Sequence, residues 1–304
     1  MTSFSRIGVI AWIRNQEVLE TLEKLVAFLT RKGFPVMVER NTATFLKSQS
    51  GAWMELDDIN ADEIDLVIVV GGDGSMLSAI RALAGFDIPL LGVNRGRLGF
   101  LTDISPEQLE SAIGRVLAGE YQTTARFLLE AQVWRGNAVA AGGKAANDVV
   151  LHPGHSVRMM EFELYVDGQF VYSQHSDGLI MATPTGSTAY ALSAGGPILQ
   201  PHLDAIVLVP MNPHSLNSRP LVIDGSSQIE IRVGTRGVPH PTITCDGQRE
   251  IITDQDDVIR VSRMKRPVQL IHPVGHDFYH TCRSKLGWGS RLDSVRHENG
   301  SPGS

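Results

Sequence analysis

Apolar positions in the first third of the chain alternate between short continuous runs and helical spacing. Ile7–Trp12 reads as a buried strand. Asn15 then stands as a helix N-cap before Val18, Leu19, Leu22, Leu25, Val26 and Leu29, the stripe of an amphipathic helix that Arg31, Lys32 and Gly33 close. Pro35–Glu39 predicts a second strand and Ile64–Val70 a third, whose near-continuous apolar character suits a parallel strand covered on both faces. Leu90–Val93 adds another strand, and Ser105-Pro-Glu-Gln predicts a helix opened by a capping box with proline at its first position. Helices flanking a parallel sheet follow from this order.

Beyond about residue 125 the period becomes that of strands. Phe162, Leu164 and Val166 alternate with Glu161, Glu163 and Tyr165 ahead of an Asp167-Gly168 hairpin turn. Ile206–Val209, Leu221–Ile223, Ile229–Val233, Thr242–Cys245, Val258–Val261 and Val268–Ile271 repeat the short-strand pattern between Gly, Asp, Ser and Pro turns. The expected organisation is an α/β unit over 1–125, joined by a returning segment at about 275–290, and a mostly antiparallel β-rich unit over 126–274. Residues 291–304 lack apolar periodicity and are expected to form a mobile tail.

A chain of 304 residues, at about 100–200 residues per domain, fits two such domains. Subtracting 33 acidic from 27 basic residues gives −6, which offers no general attraction to nucleic acid or an anionic membrane, so neither is expected as a partner. Cys245 and Cys282 form no CxxC pair, and no His/Cys cluster has zinc spacing. The longest uncharged stretch, Gly178–Leu203, carries three prolines and many hydroxyls, unlike a bilayer span. With no apolar run behind the N-terminus, a cytoplasmic location is expected.

Candidate chemistry begins at Gly71-Gly72-Asp73-Gly74-Ser75, between an apolar strand and a helix carrying Met76, Leu77, Ile80 and Leu83. Glycines let backbone approach a ligand, and N–H groups at a helix start favour anionic oxygens such as a nucleotide phosphate. A carboxylate there repels phosphate, so Asp73 suits accepting a proton from a hydroxyl nucleophile or helping to hold a divalent cation. As structure alone the motif is an Asp-Gly turn. It is neither a Walker A loop nor a GxGxxG fingerprint.

A second feature runs from Ser176 and Asp177 through Thr183-Pro-Thr-Gly-Ser-Thr-Ala-Tyr190 to Ser193 and Gly195-Gly196-Pro197. Thr185 or Ser187 is placed to cap a short helix that Gly195 and Gly196 end, and Tyr190 offers an aromatic face. So many hydroxyls near Asp177 suit a polar ligand; the structural alternative is a capped helix. Asn147-Asp148, before Val149-Val150-Leu151, can meet an adenine edge and ribose hydroxyls, or form an ordinary turn. His152, His155, His214 and His272 show no metal spacing.

Together these motifs resemble the NAD kinase family, which transfers the γ-phosphate of ATP to the 2′-hydroxyl of the adenosine ribose of NAD. Gly92–Asp103, Pro213-His214-Ser215 with Arg219-Pro220, Asp246-Gly247-Gln248 and Lys285-Leu286-Gly287-Trp288 add to the likeness. The glycine motif alone is shared with phosphofructokinases and lipid kinases, whereas the run from Asp177 to Pro197 is specific. The resemblance implies a Rossmann-like N-terminal α/β domain, a C-terminal β-sandwich-like domain, and a C-terminal segment returning to the first. It implies Asp73 as general base, Gly71, Gly72, Gly74 and Ser75 at the ATP phosphates, and Mg²⁺ accompanying ATP. Asp73, Gly74, Asn147, Asp148, Arg158, His175, Asp177, Thr188, Ala189, Tyr190, Ser193 and Gln248 would contact NAD. A homodimer or homotetramer is implied, with binding groups supplied across subunits. Rival expectations are a lipid kinase of the diacylglycerol type and a non-catalytic NAD/NADP sensor.

The chain departs from the family pattern at four places. Asp148 stands where glutamate is common, Ala11–Arg14 replace a Gly-x-Pro-like loop, and Asn212 replaces a larger apolar residue. His175 stands where close relatives often carry arginine. A neutral imidazole discriminates less than a guanidinium between cationic NAD and neutral NADH, which predicts activity toward NADH.

Overall fold

The computed structural model describes residues 4–13, 15–46, 52–54 (backbone only), 63–95, 99–156, 158–234, 238, 240–254 and 256–288. The expected tail at 291–304, Arg14, and Gly96-Arg97-Leu98 of the second glycine motif lie outside these residues.

The N-terminal sheet is built from β1 (Ile7–Ala11), β2 (Val36–Glu39), β3 (Ala52–Met54), β4 (Leu66–Val70) and β5 (Leu90–Val93), all parallel. Helices α1 (Gln16–Arg31), α2 (Arg40–Ala43), α3 (Asp73–Ala82) and α4 (Leu109–Leu117) connect or cover them. As predicted, the Asn15 side chain accepts from the Val18 N–H at 3.2 Å to start α1. Every residue of β1, β4 and β5 is buried, because α1 and α4 cover one face of the sheet and α3 the other. The glycine motif therefore follows the fourth strand in chain order, the short β3 having no readable apolar pattern. Ser105 also does not cap α4. The Gln108 N–H donates to the Ser105 carbonyl at 3.1 Å, closing a turn, and the helix begins at Leu109.

Fourteen further strands follow: β6 (Tyr121–Arg126), β7 (Leu129–Arg135), β8 (Ala138–Ala145), β9 (Asp148–His152), β10 (Met160–Val166), β11 (Gln169–Ser176), β12 (Gly178–Ala182), β13 (Ala205–Met211), β14 (Leu221–Asp224), β15 (Ile229–Val233), β16 (Thr242–Cys245), β17 (Arg249–Ile252), β18 (Val258–Arg263) and β19 (Val268–Pro273). Two antiparallel six-stranded sheets, ordered β11-β10-β15-β18-β7-β8 and β14-β13-β12-β9-β16-β17, face each other across Leu129, Phe162, Leu164, Leu151, Met181, Leu208 and Ile243. The Asp167-Gly168 turn between β10 and β11 has φ of 52° and 76°, as an Asp-Gly hairpin requires.

The stretch Val268–Ile271, expected in the β-rich unit, instead forms β19 between β5 and β6 in the first sheet. Its short apolar run carries no signal of which sheet it joins, since parallel pairing with β5 and antiparallel pairing with β6 bury the same residues. Helix α6 (Phe278–Leu286) follows; between β12 and β13 lie a single 3₁₀ turn (Gly186–Thr188) and α5 (Tyr190–Ser193). Phe278 meets the Phe100 ring with centroids 6.4 Å apart.

Candidate active site

In the first sheet the order β2-β1-β4-β5 reverses the direction of winding between β1 and β4, and ligands of such folds bind beyond the strand ends at that switch. Gly71–Ser75 lies there. Gly71 has φ of 156°, its N–H donates to the Val93 carbonyl at 2.9 Å, and a Cβ on it would collide with the Ser75 hydroxyl. Gly72 is the N-cap of α3 with no side-chain cap, and a Cβ added at Gly72 or Gly74 meets nothing within 4 Å. The start of α3 thus has open space beside Gly72 and Gly74 and carries the positive end of the helix dipole, while the Ser75 N–H closes back on the Gly72 carbonyl at 3.0 Å.

Asp73, the first residue of α3, does not use its carboxylate to cap its own helix. Oδ2 accepts from the Phe100 N–H at 2.9 Å; Oδ1 accepts from the Leu101 N–H at 3.1 Å and the Thr102 hydroxyl at 3.2 Å. The second glycine motif is what makes this grip possible: a Cβ on Gly99 would run into the Asp73 carboxylate and the Thr102 hydroxyl, and one on Gly92 into the backbone of Leu101 and Thr102. Oδ2, with its one bond, keeps an acceptor direction for a substrate hydroxyl.

A cavity of about 520 Å³ opens beside α5, lined by Asn147, Asp148, Ala189, Tyr190, Met211 and Asp246 among others. It gathers four of the residues expected at NAD, Asn147, Asp148, Ala189 and Tyr190, from two separate stretches of sequence. Asp246, at φ of 51° in the Asp-Gly turn between β16 and β17, accepts from the N–H groups of Ala146, Asn147 and Asp148 at 3.0, 2.7 and 3.2 Å. Its other partner is Arg81 of α3 at 2.5 Å, with the Asp246 carboxylate fully buried. Helix α3 therefore carries Asp73 at one end and, about 12 Å along its axis, the arginine that anchors the cavity wall. Asp148 is buried beside Asp246, and burial followed by the neighbouring negative charge pushes its carboxyl up to about 7.

The hydroxyls of the Thr183–Pro197 run serve the backbone more than was expected. Thr183 donates its hydroxyl to the Ala146 carbonyl at 2.6 Å and receives the Gly186 N–H at 3.1 Å. Ser187 donates to Pro184 at 2.7 Å and accepts from the Leu199 N–H at 2.9 Å, so it caps no helix, while Thr185 holds the N-cap position of the 3₁₀ turn without a side-chain cap bond. Gly186 lies against the Asn147 carbonyl with no room for a Cβ. These bonds lock the run onto Asn147 and leave Tyr190 about half exposed at the cavity.

The remaining expected residues lie elsewhere. Thr188 turns its hydroxyl to the Thr185 carbonyl at 3.3 Å, and Ser193 is exposed at the end of α5. Asp177 accepts from Asn212 at 2.9 Å; Asn212 has φ of 44°, a conformation asparagine tolerates better than a larger apolar residue, which accounts for that departure. Gln248 accepts from the Ser78 hydroxyl of α3 at 2.9 Å and also meets Arg81. His175 is exposed on β11, 3.5 Å from Glu161, and Arg158 is exposed; neither lines the cavity of its own chain. Arg81 and the grip of Gly99–Thr102 on Asp73 were not read from sequence, because each joins positions dozens of residues apart.

An α/β half with a glycine turn and a fixed aspartate at a helix start, joined to a β-rich half whose cavity is lined by Asn147, Asp148, Tyr190 and Asp246, is the arrangement of a nucleotide-dependent phosphotransferase. The ATP-NAD kinase N-terminal domain matches residues 7–121, and the ATP-NAD kinase C-terminal domain matches residues 146–273. The chain is 53% identical over 292 residues to an NAD kinase of Pseudomonas aeruginosa, covering 96% of this chain and 99% of that one. It is 51% identical over 290 residues to an NAD kinase of Teredinibacter turnerae, covering 95% and 99%. A yeast NADH kinase solved with NADH superposes with a TM-score of 0.86 at 25% identity, covering 97% of this chain and 91% of that chain. An Archaeoglobus fulgidus NAD kinase solved with ATP shares the fold, with a TM-score of 0.68 at 24% identity over 93% and 97%. The chain belongs to the ATP-NAD kinase family.

Proposed function

We propose that Asp73 is the general base that takes the proton from the ribose 2′-hydroxyl of NAD as that oxygen attacks the γ-phosphorus of ATP. The protein is an ATP-dependent NAD kinase, and its products are NADP and ADP. The observation that carries the assignment is the Asp73 carboxylate, fixed by Phe100, Leu101 and Thr102 at the open start of α3 with one acceptor direction left on Oδ2. Positioning of this kind supplies much of the catalysis in phosphoryl transfer, where proton removal and charge stabilisation accompany an in-line displacement.

Gly71, Gly72, Gly74 and Ser75 receive the ATP phosphates, the positive end of the α3 dipole meeting their charge. Asn147, Asp148, Ala189 and Tyr190 hold the adenosine portion of NAD in the cavity they line. Asp177, Thr188, Ser193 and Gln248 complete the surroundings of the dinucleotide. Arg158 and His175, exposed on this chain, serve a site shared across subunits of a homodimer or homotetramer. A divalent cation, Mg²⁺, would be held by the oxygens of the ATP phosphates and by water, and when bound it would neutralise triphosphate charge. Among the described residues no helix is long and apolar enough to cross a membrane. Incubation with NAD, ATP and Mg²⁺, followed by an NADP-specific dehydrogenase, tests the reading; NAD binding without NADP would favour a sensor.

A further inference from the structure

Sequence spacing offers no metal motif, yet the fold brings Asp103, His272 and His276 to one point. Asp103 follows the loop that grips Asp73, His272 lies on β19, and His276 stands in the turn before α6. Nδ1 of both histidines meets Asp103 Oδ2, that of His276 at 3.2 Å, and donor atoms of the three residues lie within 4.8 Å of one another. The two imidazoles stack at 4.1 Å with 22° between their planes, bringing both Nδ1 atoms to the same oxygen. The Asp103 side chain is nine-tenths buried, and its Oδ1 has no hydrogen-bond partner. A buried carboxylate oxygen without a partner calls for an explanation, and an ion is one.

We propose that Asp103, His272 and His276 bind a divalent transition-metal ion of the Zn²⁺ class, with water as the fourth ligand. Bonds of about 2.0–2.1 Å in a tetrahedron separate neighbouring donors by roughly 3.3 Å, and the His276–Asp103 contact already has that spacing. The closer His272–Asp103 pair opens by a pivot of the carboxylate that brings Oδ1 to the ion. The outer partner of His272 is also suited: its Nε2 lies 2.8 Å from the Thr124 hydroxyl, which can donate to it or accept from it. The imidazole can thus exchange an Nδ1–H facing Asp103 for an Nδ1 lone pair facing a metal, without losing that bond. A cavity of about 550 Å³ bounded by Asp103, His276, Asp277 and His280 reaches the cluster and provides a route and room for water.

Two imidazole nitrogens favour Zn²⁺, Co²⁺ or Ni²⁺ over Mg²⁺, which prefers oxygen. Buried Arg126 lies close enough to Asp103 to interact with it electrostatically and opposes any cation, so the site is weaker than a three-histidine zinc centre. None of the three ligands is among the residues proposed for NAD or ATP.

The test uses the untagged full chain after chelator treatment, titrated with Zn²⁺ by calorimetry and with Co²⁺ by visible absorption. About one ion per chain is expected, with the intense visible bands of tetrahedral Co²⁺ and no displacement by excess Mg²⁺. His276→Ala, in a turn, and Asp103→Asn should each weaken binding more than about tenfold, ligand loss costing at least as much as second-shell loss. His280→Ala, which lines the cavity without contributing a donor, should bind normally. Near-ultraviolet circular dichroism before each titration establishes that the variant is folded. Absence of stoichiometric Zn²⁺ binding to the wild type, or undiminished binding by folded His276→Ala, would overturn the proposal.

Discussion

The Phe100 N–H donates to Asp73 Oδ2 at 2.9 Å, so a loop 27 positions downstream sets where the proposed base points. Gly99 is the residue that lets it approach. Gly99→Ala places a methyl against the Asp73 carboxylate, and overpacking of this kind costs about 1–3 kcal/mol. We expect kcat to fall at least tenfold while the KM for NAD changes little, in steady-state kinetics with thermal melting alongside. Unchanged kcat in the alanine variant would mean that the loop does not hold Asp73 for reaction.

Asp246 ties Arg81 to the backbone of Ala146, Asn147 and Asp148, and it is the shared anchor of α3 and the cavity wall. Asp246→Ala leaves three N–H groups without their acceptor and Arg81 with only the uncharged oxygens of Gln248 and Ser78. Breaking a buried pair in this way destabilises by about 3 kcal/mol or more, measurable by urea unfolding. The KM for NAD is expected to rise more than kcat falls, because Asn147 and Asp148 lose their position. A stability loss with unchanged KM would reduce Asp246 to a purely structural role.

Asp148 carries a pH dependence whose sign follows from burial. Its folded pKa, raised to about 7, lies above that of an unfolded aspartate, about 4. The native state therefore binds the extra proton between those values. Stability from this group is present at low pH, declines as pH rises from about 4 to about 7, and stays at the lower level above. Asp148→Asn removes the decline, so the variant should gain melting temperature relative to wild type between about pH 5 and pH 8. A difference independent of pH would contradict the buried, proton-holding carboxyl.

His175, exposed and 3.5 Å from Glu161, has no fixed positive charge to set against the nicotinamide ring. If it reaches a dinucleotide across a subunit boundary, wild type should phosphorylate NAD and NADH with comparable specificity constants, and His175→Arg should separate them. Undetectable NADH phosphorylation by wild type would remove His175 from specificity.

Local chemistry was the legible part of this protein. Asn15 before the Val18–Leu29 stripe, the unbroken apolar β4, and Asp167-Gly168 between alternating runs each state their structure in a few adjacent residues. What stayed hidden was pairing over distance. The apolar residues of β19 fit either unit equally, and the Ala- and Gly-rich β8 offers little alternation to read. Gly71–Ser75 stands out in the sequence as a glycine turn between strand and helix, but that Gly99–Thr102 grips its aspartate depends on the pairing of β4 with β5 in the sheet. Hydroxyls in the 183–197 run looked like ligand contacts; Thr183 and Ser187 instead satisfy buried backbone groups, a need that sequence does not display.

The most direct test of the central claim is a comparison of Asp73→Asn with wild type for NADP formation from ATP and NAD, with NAD binding measured on both. The amide keeps the shape but turns one acceptor into a donor that faces either the Phe100 or the Leu101 N–H, so a drop in stability of about 1–3 kcal/mol accompanies the change. In Asp73→Asn kcat should fall about 10²- to 10⁴-fold with NAD affinity largely retained. Turnover near that of wild type in the folded variant would contradict Asp73 as the base.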